Sequence, residues 1–269
     1  MELKKTERKS AKIKMALQGP SGSGKTYSSI LLAKGLSGNQ LSKVAIIDTE
    51  NGSSNLYSHL GCYNVITLSP PYTPESYIEA IEVCERENMG VIVIDSISHA
   101  WEELLEFHSK LSGNSFANWG KVTPRQRDFV EKLLQSNCHI IVTIRKKQAY
   151  VLNQIEGKYI PEKVGLKAIQ RDGIDYEFTI VFDLDMKHFA KCSKDRTGLF
   201  EGNSEFKIKD KTGNLILDWC EVNLDLEKIK ESINKANSIG ELKSLYENYG
   251  GWSDVLEKEF TNQRKVVES

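Results

Sequence analysis

Along the first half of the chain, short runs dense in Val and Ile alternate with longer stretches whose apolar residues recur every three or four positions. Continuous apolar runs mark strands buried on both faces, and helical spacing marks the crossovers between them, so the alternation predicts a mainly parallel sheet flanked by helices. Strands are expected at Lys12–Gln18, Lys43–Asp48, Val91–Asp95 and His139–Ile144. Helices are expected at Lys25–Leu36, Glu75–Asn88, Ala100–Leu111 and Pro124–Gln135, the last opening on its proline. From Phe178 the runs shorten, to Phe178–Asp183, Phe189–Ser193, Phe206–Lys209 and Leu215–Trp219, with Gly213-Asn214 reading as a turn between the last two. Antiparallel strands should extend the sheet there. Past Cys220 the segments Leu224–Ala236, Gly240–Tyr249 and Trp252–Val267 are rich in Lys and Glu and carry helical spacing, broken at Gly250-Gly251. The expected organisation is a basic arm at residues 1–11, an α/β core at 12–220 and a small helical tail at 221–269.

Composition narrows the classes without choosing among them. With 269 residues, 39% hydrophobic and 27% charged, the chain can bury a large core and is neither disordered nor fibrous. A formal charge of -1 means that any nucleic-acid contact must come from a local basic surface. The five cysteines are scattered with no CxxC spacing, which argues against a disulfide framework or a zinc site. No apolar run approaches the roughly 20 residues that span a bilayer, and the charged start lacks a signal-peptide core. A cytoplasmic protein with no membrane partner is expected.

The sharpest chemical signal is Gly19-Pro20-Ser21-Gly22-Ser23-Gly24-Lys25-Thr26, a GxxxxGK[ST] loop between an apolar strand and an amphipathic helix. Its glycines let successive N–H groups converge on phosphate oxygens, and the helix N-terminus adds partial positive charge at the same point. Lys25 should reach the β- and γ-phosphates of ATP, Thr26 should place its hydroxyl on Mg²⁺, and Tyr27 follows in the same turn. Val91–Asp95 has the form of a Walker B strand, whose Asp95 would hold Mg²⁺. A hydrolase also needs a group to activate water, and the strand ending Asp48-Thr49-Glu50 offers Glu50, with Asp48 as the fallback.

Together with Ser96 and the later Lys194-Asp195-Arg196-Thr197-Gly198, these motifs resemble the RecA-like P-loop ATPases over roughly Lys12 to Gly202. More narrowly, the chain is similar to phage-encoded minimal RecA-core ATPases linked to single-strand annealing and recombination. The resemblance implies that Glu50 is the water-activating base. It also implies that Lys194 and Arg196 reach the γ-phosphate of a neighbouring subunit in a ring or filament, although a basic β-turn would read the same way. A γ-phosphate sensor is implied near the end of the His139–Ile144 strand, where Thr143 and Arg145 both stand.

Two stretches are locally basic. Arg145, Lys146, Lys147 and Lys158 precede Lys163, Lys167 and Arg171, with Tyr150 and Tyr159 interleaved, and an earlier stretch carries Trp119, Lys121, Arg125 and Arg127 at the position of the family's first DNA loop. Cations gain affinity by releasing counterions from phosphates, and aromatics stack on unpaired bases, which suits single-stranded DNA. The same residues also suit a packed hairpin with a solvated face. His99 reads as a packing or hydrogen-bonding residue. The leading expectation is an oligomeric ATPase acting on single strands. A nucleotide-controlled switch binding a protein through its helical tail is the alternative, and a small-molecule kinase ranks last.

Overall fold

The structure is a computed structural model that describes residues 12–155, 158–221, 226–249 and 254–268. Five parallel strands form its centre: β1 (Lys14–Gly19), β2 (Val44–Asp48), β3 (Asn64–Thr67), β4 (Val91–Asp95) and the first part of β5 (His139–Ile155). Helices α1 (Lys25–Leu36), α2 (Pro74–Arg86), α3 (Ser98–Lys110) and α4 (Ser115–Gln135) make the crossovers. Beyond the bend in β5, β6 (Lys158–Ala168) returns antiparallel to it as a long hairpin. Strand β7 (Ile180–Leu184) joins β1 in parallel, and β8 (Ala190–Asp195) closes that edge antiparallel, so the main order is β3-β2-β4-β5-β1-β7-β8. Helices α5 (Asp210–Cys220), α6 (Leu226–Lys235), α7 (Ile239–Tyr249) and α8 (Asp254–Glu268) follow.

Successive side chains of a strand point to opposite faces, so the apolar runs feed two cores. Met15, Leu17, Ile46, Val93, Ile141 and Phe182 pack on one face with α1 and α5, and the same cluster takes in Ile233, Leu242, Leu256 and Phe260 of the last three helices. Ala16, Ile47, Ile92, Ile94 and Val142 face the other way onto Tyr77 and Ile81 of α2 and Phe129 and Leu133 of α4. Burial on both faces is what the unbroken Val/Ile runs require.

Several expected elements differ. Leu215–Trp219 is not a strand but part of α5, and Gly213 is no turn. A Cβ on Gly213 would lie 2.2 Å from the Leu32 carbonyl, and one on Gly35 would lie 2.1 Å from the Asp210 carbonyl. The two glycines let α1 and α5 pack backbone to backbone. Phe206–Lys209 contributes only a single bridge, Phe206 with Ala190. Strand β3 was not expected, because the half-exposed Asn64–Thr67 carries only two apolar residues rather than a long apolar run. Helix α4 starts at Ser115, nine residues before the Pro124 expected to open it, because the Asn114 side chain accepts the Phe116 and Ala117 N–H groups at 2.9 and 3.2 Å. The stretch compared with a DNA loop is therefore helical.

The entry into β5 carries a buried pH-sensitive contact. His139 Nδ1 accepts the Ile13 N–H at 3.1 Å, which requires a neutral acceptor nitrogen. Burial, with the nearby Lys12 and Lys14 charges, pushes the His139 pKa down to about 3. The folded value lies below the unfolded one of roughly 6.5, so the contribution is complete above that pH and is lost as pH falls toward 3. In thermal melts between pH 7 and pH 4, His139→Asn, which keeps an acceptor but cannot titrate, should lose less stability than wild type, by an order of a few kcal/mol. Parallel pH profiles would contradict this.

Candidate functional site

The C-terminal ends of β1, β2 and β4 and the end of the parallel part of β5 meet at one edge of the sheet, where ligands of open α/β sheets bind. The loop leaving β1 turns through Gly22 and Gly24, at φ 80° and 83°, values that L side chains rarely adopt, and Gly24 opens α1. Lys25 folds back so that Nζ donates to the carbonyls of Gly19 at 3.0 Å and Pro20 at 2.8 Å. Burial lowers its pKa, while Asp95 and Glu50 oppose that shift, so a bound polyphosphate would add further counter-charge to this half-buried ammonium. Ser23 is fully buried beneath the loop.

Asp95 ends β4 and is 2% exposed. Thr26 Oγ1 donates to its Oδ2 at 2.5 Å, and Thr143 of β5 donates to its Oδ1. Burial raises the Asp95 pKa even against these two bonds, which describes a carboxylate short of positive charge. A hydroxyl and a carboxylate side by side are hard oxygen donors, and Mg²⁺ takes few protein ligands because phosphates and waters fill the rest. Thr26 and Asp95 therefore fit a magnesium ion, although among the described residues no group of three or more His, Cys, Asp or Glu side chains gathers as a metal cluster.

The two carboxylates near the end of β2 differ sharply. Asp48 Oδ1 accepts the N–H of Glu50 at 2.7 Å and of Gly52 at 3.3 Å, while Oδ2 accepts from Ser54 N at 3.0 Å and Ser54 Oγ at 2.5 Å. Asp48 is committed to holding the turn, which removes it as the fallback base. Glu50 instead faces the cleft and receives Arg145 through two parallel bonds, Nε to Oε1 at 2.8 Å and Nη2 to Oε2. Arg145 thus sits at the nucleotide site, and so does Lys146, which lines the cleft and pairs with Asp183.

The cleft has a volume of about 760 Å³. It is also lined by Tyr27 and Tyr57, edge to face at 5.6 Å, and by His188 from the β7–β8 loop. His188 stands so close over the phosphate loop that a Cβ on Gly24 would lie 3.0 Å from its Nδ1. Neither Tyr57 nor His188 sits in a recognisable motif, and only tertiary folding brings them here. His99 takes the local role expected of it, with Nδ1 2.7 Å from Thr49 Oγ1 and its ring stacked on Tyr72.

Lys194 and Arg196 lie elsewhere. Because β8 runs antiparallel, Lys194 stands opposite Val181 and the Arg196 N–H bonds the Thr179 carbonyl, level with the start of β1 rather than its end. Four strand positions separate Met15 from Gly19, roughly 13 Å along the sheet. Arg196 is exposed and Lys194 half-buried, and both donate to the Tyr176 carbonyl, at 2.8 and 2.6 Å. They stand apart from the nucleotide cleft.

The basic residues of α4 are partly engaged. Arg125 makes a bidentate pair with Glu75, 2.7 Å for each bond, over the Phe107 ring, and Arg127 faces Asp128 and Glu131. Lys121 is exposed, and Trp119 stacks on His108. Lys147 is exposed at the root of the hairpin, while the side chain of Lys158 lies outside the described residues.

A strand, a glycine loop and a helix that together present Lys25, Thr26 and a buried strand-end Asp95 define a P-loop NTPase. The family model described as AAA domain matches residues 11–230, and the chain belongs to that family of ATP-binding proteins. No curated protein matches the chain significantly. Among the described residues no helix is long and apolar enough to cross a membrane.

Proposed function

We propose that this protein is a RecA-like ATPase that binds single-stranded DNA and supports phage-type recombination or strand annealing, working as a homo-oligomer. The carrying observation is the Glu50–Arg145 pair. It joins the carboxylate of Glu50, which lines the cleft, to the first residue of the basic hairpin. Lys25 and the loop N–H groups would hold the phosphates, and Thr26 and Asp95 would hold Mg²⁺, which when bound would supply positive charge toward the phosphoryl oxygens. Glu50 takes the proton of the attacking water.

A carboxylate whose two oxygens accept a guanidinium fork is a poor base, so the resting subunit is expected to turn over slowly. The Ile169 N–H, where the hairpin returns, donates to the Arg145 carbonyl at 2.7 Å, so a strand that moves the hairpin root also pulls on Arg145. Arg145→Ala should raise DNA-free ATP turnover several-fold and shrink the stimulation by DNA. A fall in both rates would assign Arg145 to the transition state instead. Fluorescence anisotropy of a labelled oligothymidylate, with and without a non-hydrolysable ATP analogue, tests the partner. Nucleotide-dependent binding that weakens steeply with salt is expected, and none at low salt would sink the reading.

One observation favours a nucleotide-controlled interaction switch. Helices α7 and α8 frame a cleft of about 490 Å³ lined by Leu242, Tyr246 and Phe260, which suits a protein partner. That reading predicts partner capture through α7 and α8 with no anisotropy change on any oligonucleotide.

A further inference from the structure

The first turn of α3 touches the backbone on both sides of the Glu50–Arg145 pair. Ser98 Oγ accepts the Arg145 N–H at 2.9 Å. The next residue, His99, places Nδ1 2.7 Å from Oγ1 of Thr49, the residue directly before Glu50. Whichever of the two carries the proton, the bond ties Thr49 to the helix. Adjacent residues of one helical turn thus hold the two segments, the end of β2 and the bend of β5, whose side chains meet as the ion pair. Ser98 and Thr49 are both fully buried, so water does not compete for either bond.

Thr49 is in turn bound to the end of β4. Its N–H donates to the Asp95 carbonyl at 2.8 Å, and its Oγ1 accepts the Ser96 N–H at 2.9 Å. A shift of Thr49 therefore moves Glu50 relative to Asp95. The His99 ring is fixed from the side as well, stacked on Tyr72 at 4.8 Å with an interplanar angle of 19°. Burial and the Arg145 charge push the His99 pKa below its ordinary value, against the opposing pull of Glu50, Glu102 and Asp95, so the ring is neutral at pH 7 and brings no second cation to the pair. The helix start is also anchored to the returning hairpin, because the buried Gln170 donates from Nε2 to the Ile97 carbonyl at 3.2 Å.

We propose that Ser98 and His99 are positioning residues with opposite effects on ATP hydrolysis: His99, through Thr49, aims Glu50 into the cleft, and Ser98 holds Arg145 where its guanidinium restrains Glu50. The inference rests on the reading of Glu50 as the base that Arg145 holds back. It adds the element that sets the pair. A displacement of the hairpin return reaches the pair through Gln170, Ile97 and the first turn of α3 as well as through Ile169.

The test is DNA-free ATP turnover of the full chain at saturating ATP, with the Kd of a fluorescent ATP analogue measured on the same samples. Ser98→Ala removes the acceptor that holds Arg145 and should raise turnover about twofold to threefold. His99→Phe keeps a ring on Tyr72 but offers Thr49 no nitrogen, and should lower turnover about fivefold, within the range for loss of one hydrogen bond. His99→Asn, whose amide can meet Thr49 as donor or acceptor, should return turnover to within about twofold of wild type. All three should bind nucleotide as wild type does, because the phosphate contacts belong to Lys25 and the loop. Opposite signs from neighbouring residues distinguish positioning from a general loosening of α3, which would lower both rates. Rates that move in the same direction, or His99→Asn as slow as His99→Phe, would overturn the proposal. Ser98 is buried, so if Ser98→Ala does not fold the two His99 variants decide the matter. Glu50→Gln measured alongside separates the two readings. If it is inactive while Ser98→Ala and His99→Phe turn over like wild type, only the positioning role falls; if it turns over like wild type, the role of Glu50 falls and takes this inference with it.

Discussion

Glu50→Gln is expected to abolish most ATP turnover, by roughly 10²–10⁴-fold, while leaving nucleotide binding close to wild type. The amide keeps the shape of the side chain and can still meet Arg145, but it cannot accept a proton from water. Among the described residues, no other carboxylate at the cleft is placed to replace it. Asp48 has both oxygens committed to the turn at Gly52 and Ser54, and Asp95 is buried between Thr26 and Thr143. Binding should persist because phosphate contacts belong to Lys25 and the loop, not to Glu50. Fluorescent-nucleotide titration and single-turnover hydrolysis on the same sample separate the two effects. Turnover in Glu50→Gln within threefold of wild type would remove Glu50 from the chemistry.

Arg196→Ala is expected to cut turnover by as much as roughly 10³-fold, the lower end for loss of an arginine finger, although Arg196 lies far from its own nucleotide. The register of β8 puts Arg196 and Lys194 level with Thr179 and Val181, at the wrong end of the sheet for the subunit's own Lys25. Their nitrogens rest on the Tyr176 carbonyl, with Arg196 exposed and Lys194 half-buried, so a neighbour's phosphate could displace those contacts. Mixing gives the sharper result. In a random mixture of Glu50→Gln and Arg196→Ala subunits, about one quarter of interfaces combine an intact Glu50 with an intact Arg196, so activity should reappear when two inactive preparations are combined. A mixture as inactive as its parts would assign Arg196 to structure.

What the sequence disclosed follows from how local each feature is. The phosphate loop, Thr26 and Asp95 were legible because strand, glycine turn and helix are adjacent in the chain and their spacing has a physical cause. Glu50 was legible as a strand-end acid, but its distinction from Asp48 was not, since it depends on which carboxylate the Gly52–Ser54 turn consumes. Arg145 looked like part of a basic surface. Its place against Glu50 arises from β5 lying between β4 and β1, a pairing 95 residues apart in sequence. Tyr57 and His188 reach the cleft from segments with no periodicity to flag them. Leu215–Trp219 misled because a short apolar run beside a glycine suits a strand, whereas Gly213 serves close packing on Gly35.

The most direct test of the account is steady-state ATP hydrolysis across protein concentration, with and without single-stranded DNA at low salt, using Lys25→Ala as the blank. Turnover that is stimulated by DNA and rises more than linearly with protein is the predicted result. Turnover that is linear in protein and indifferent to DNA would contradict both the shared site and the nucleic-acid partner.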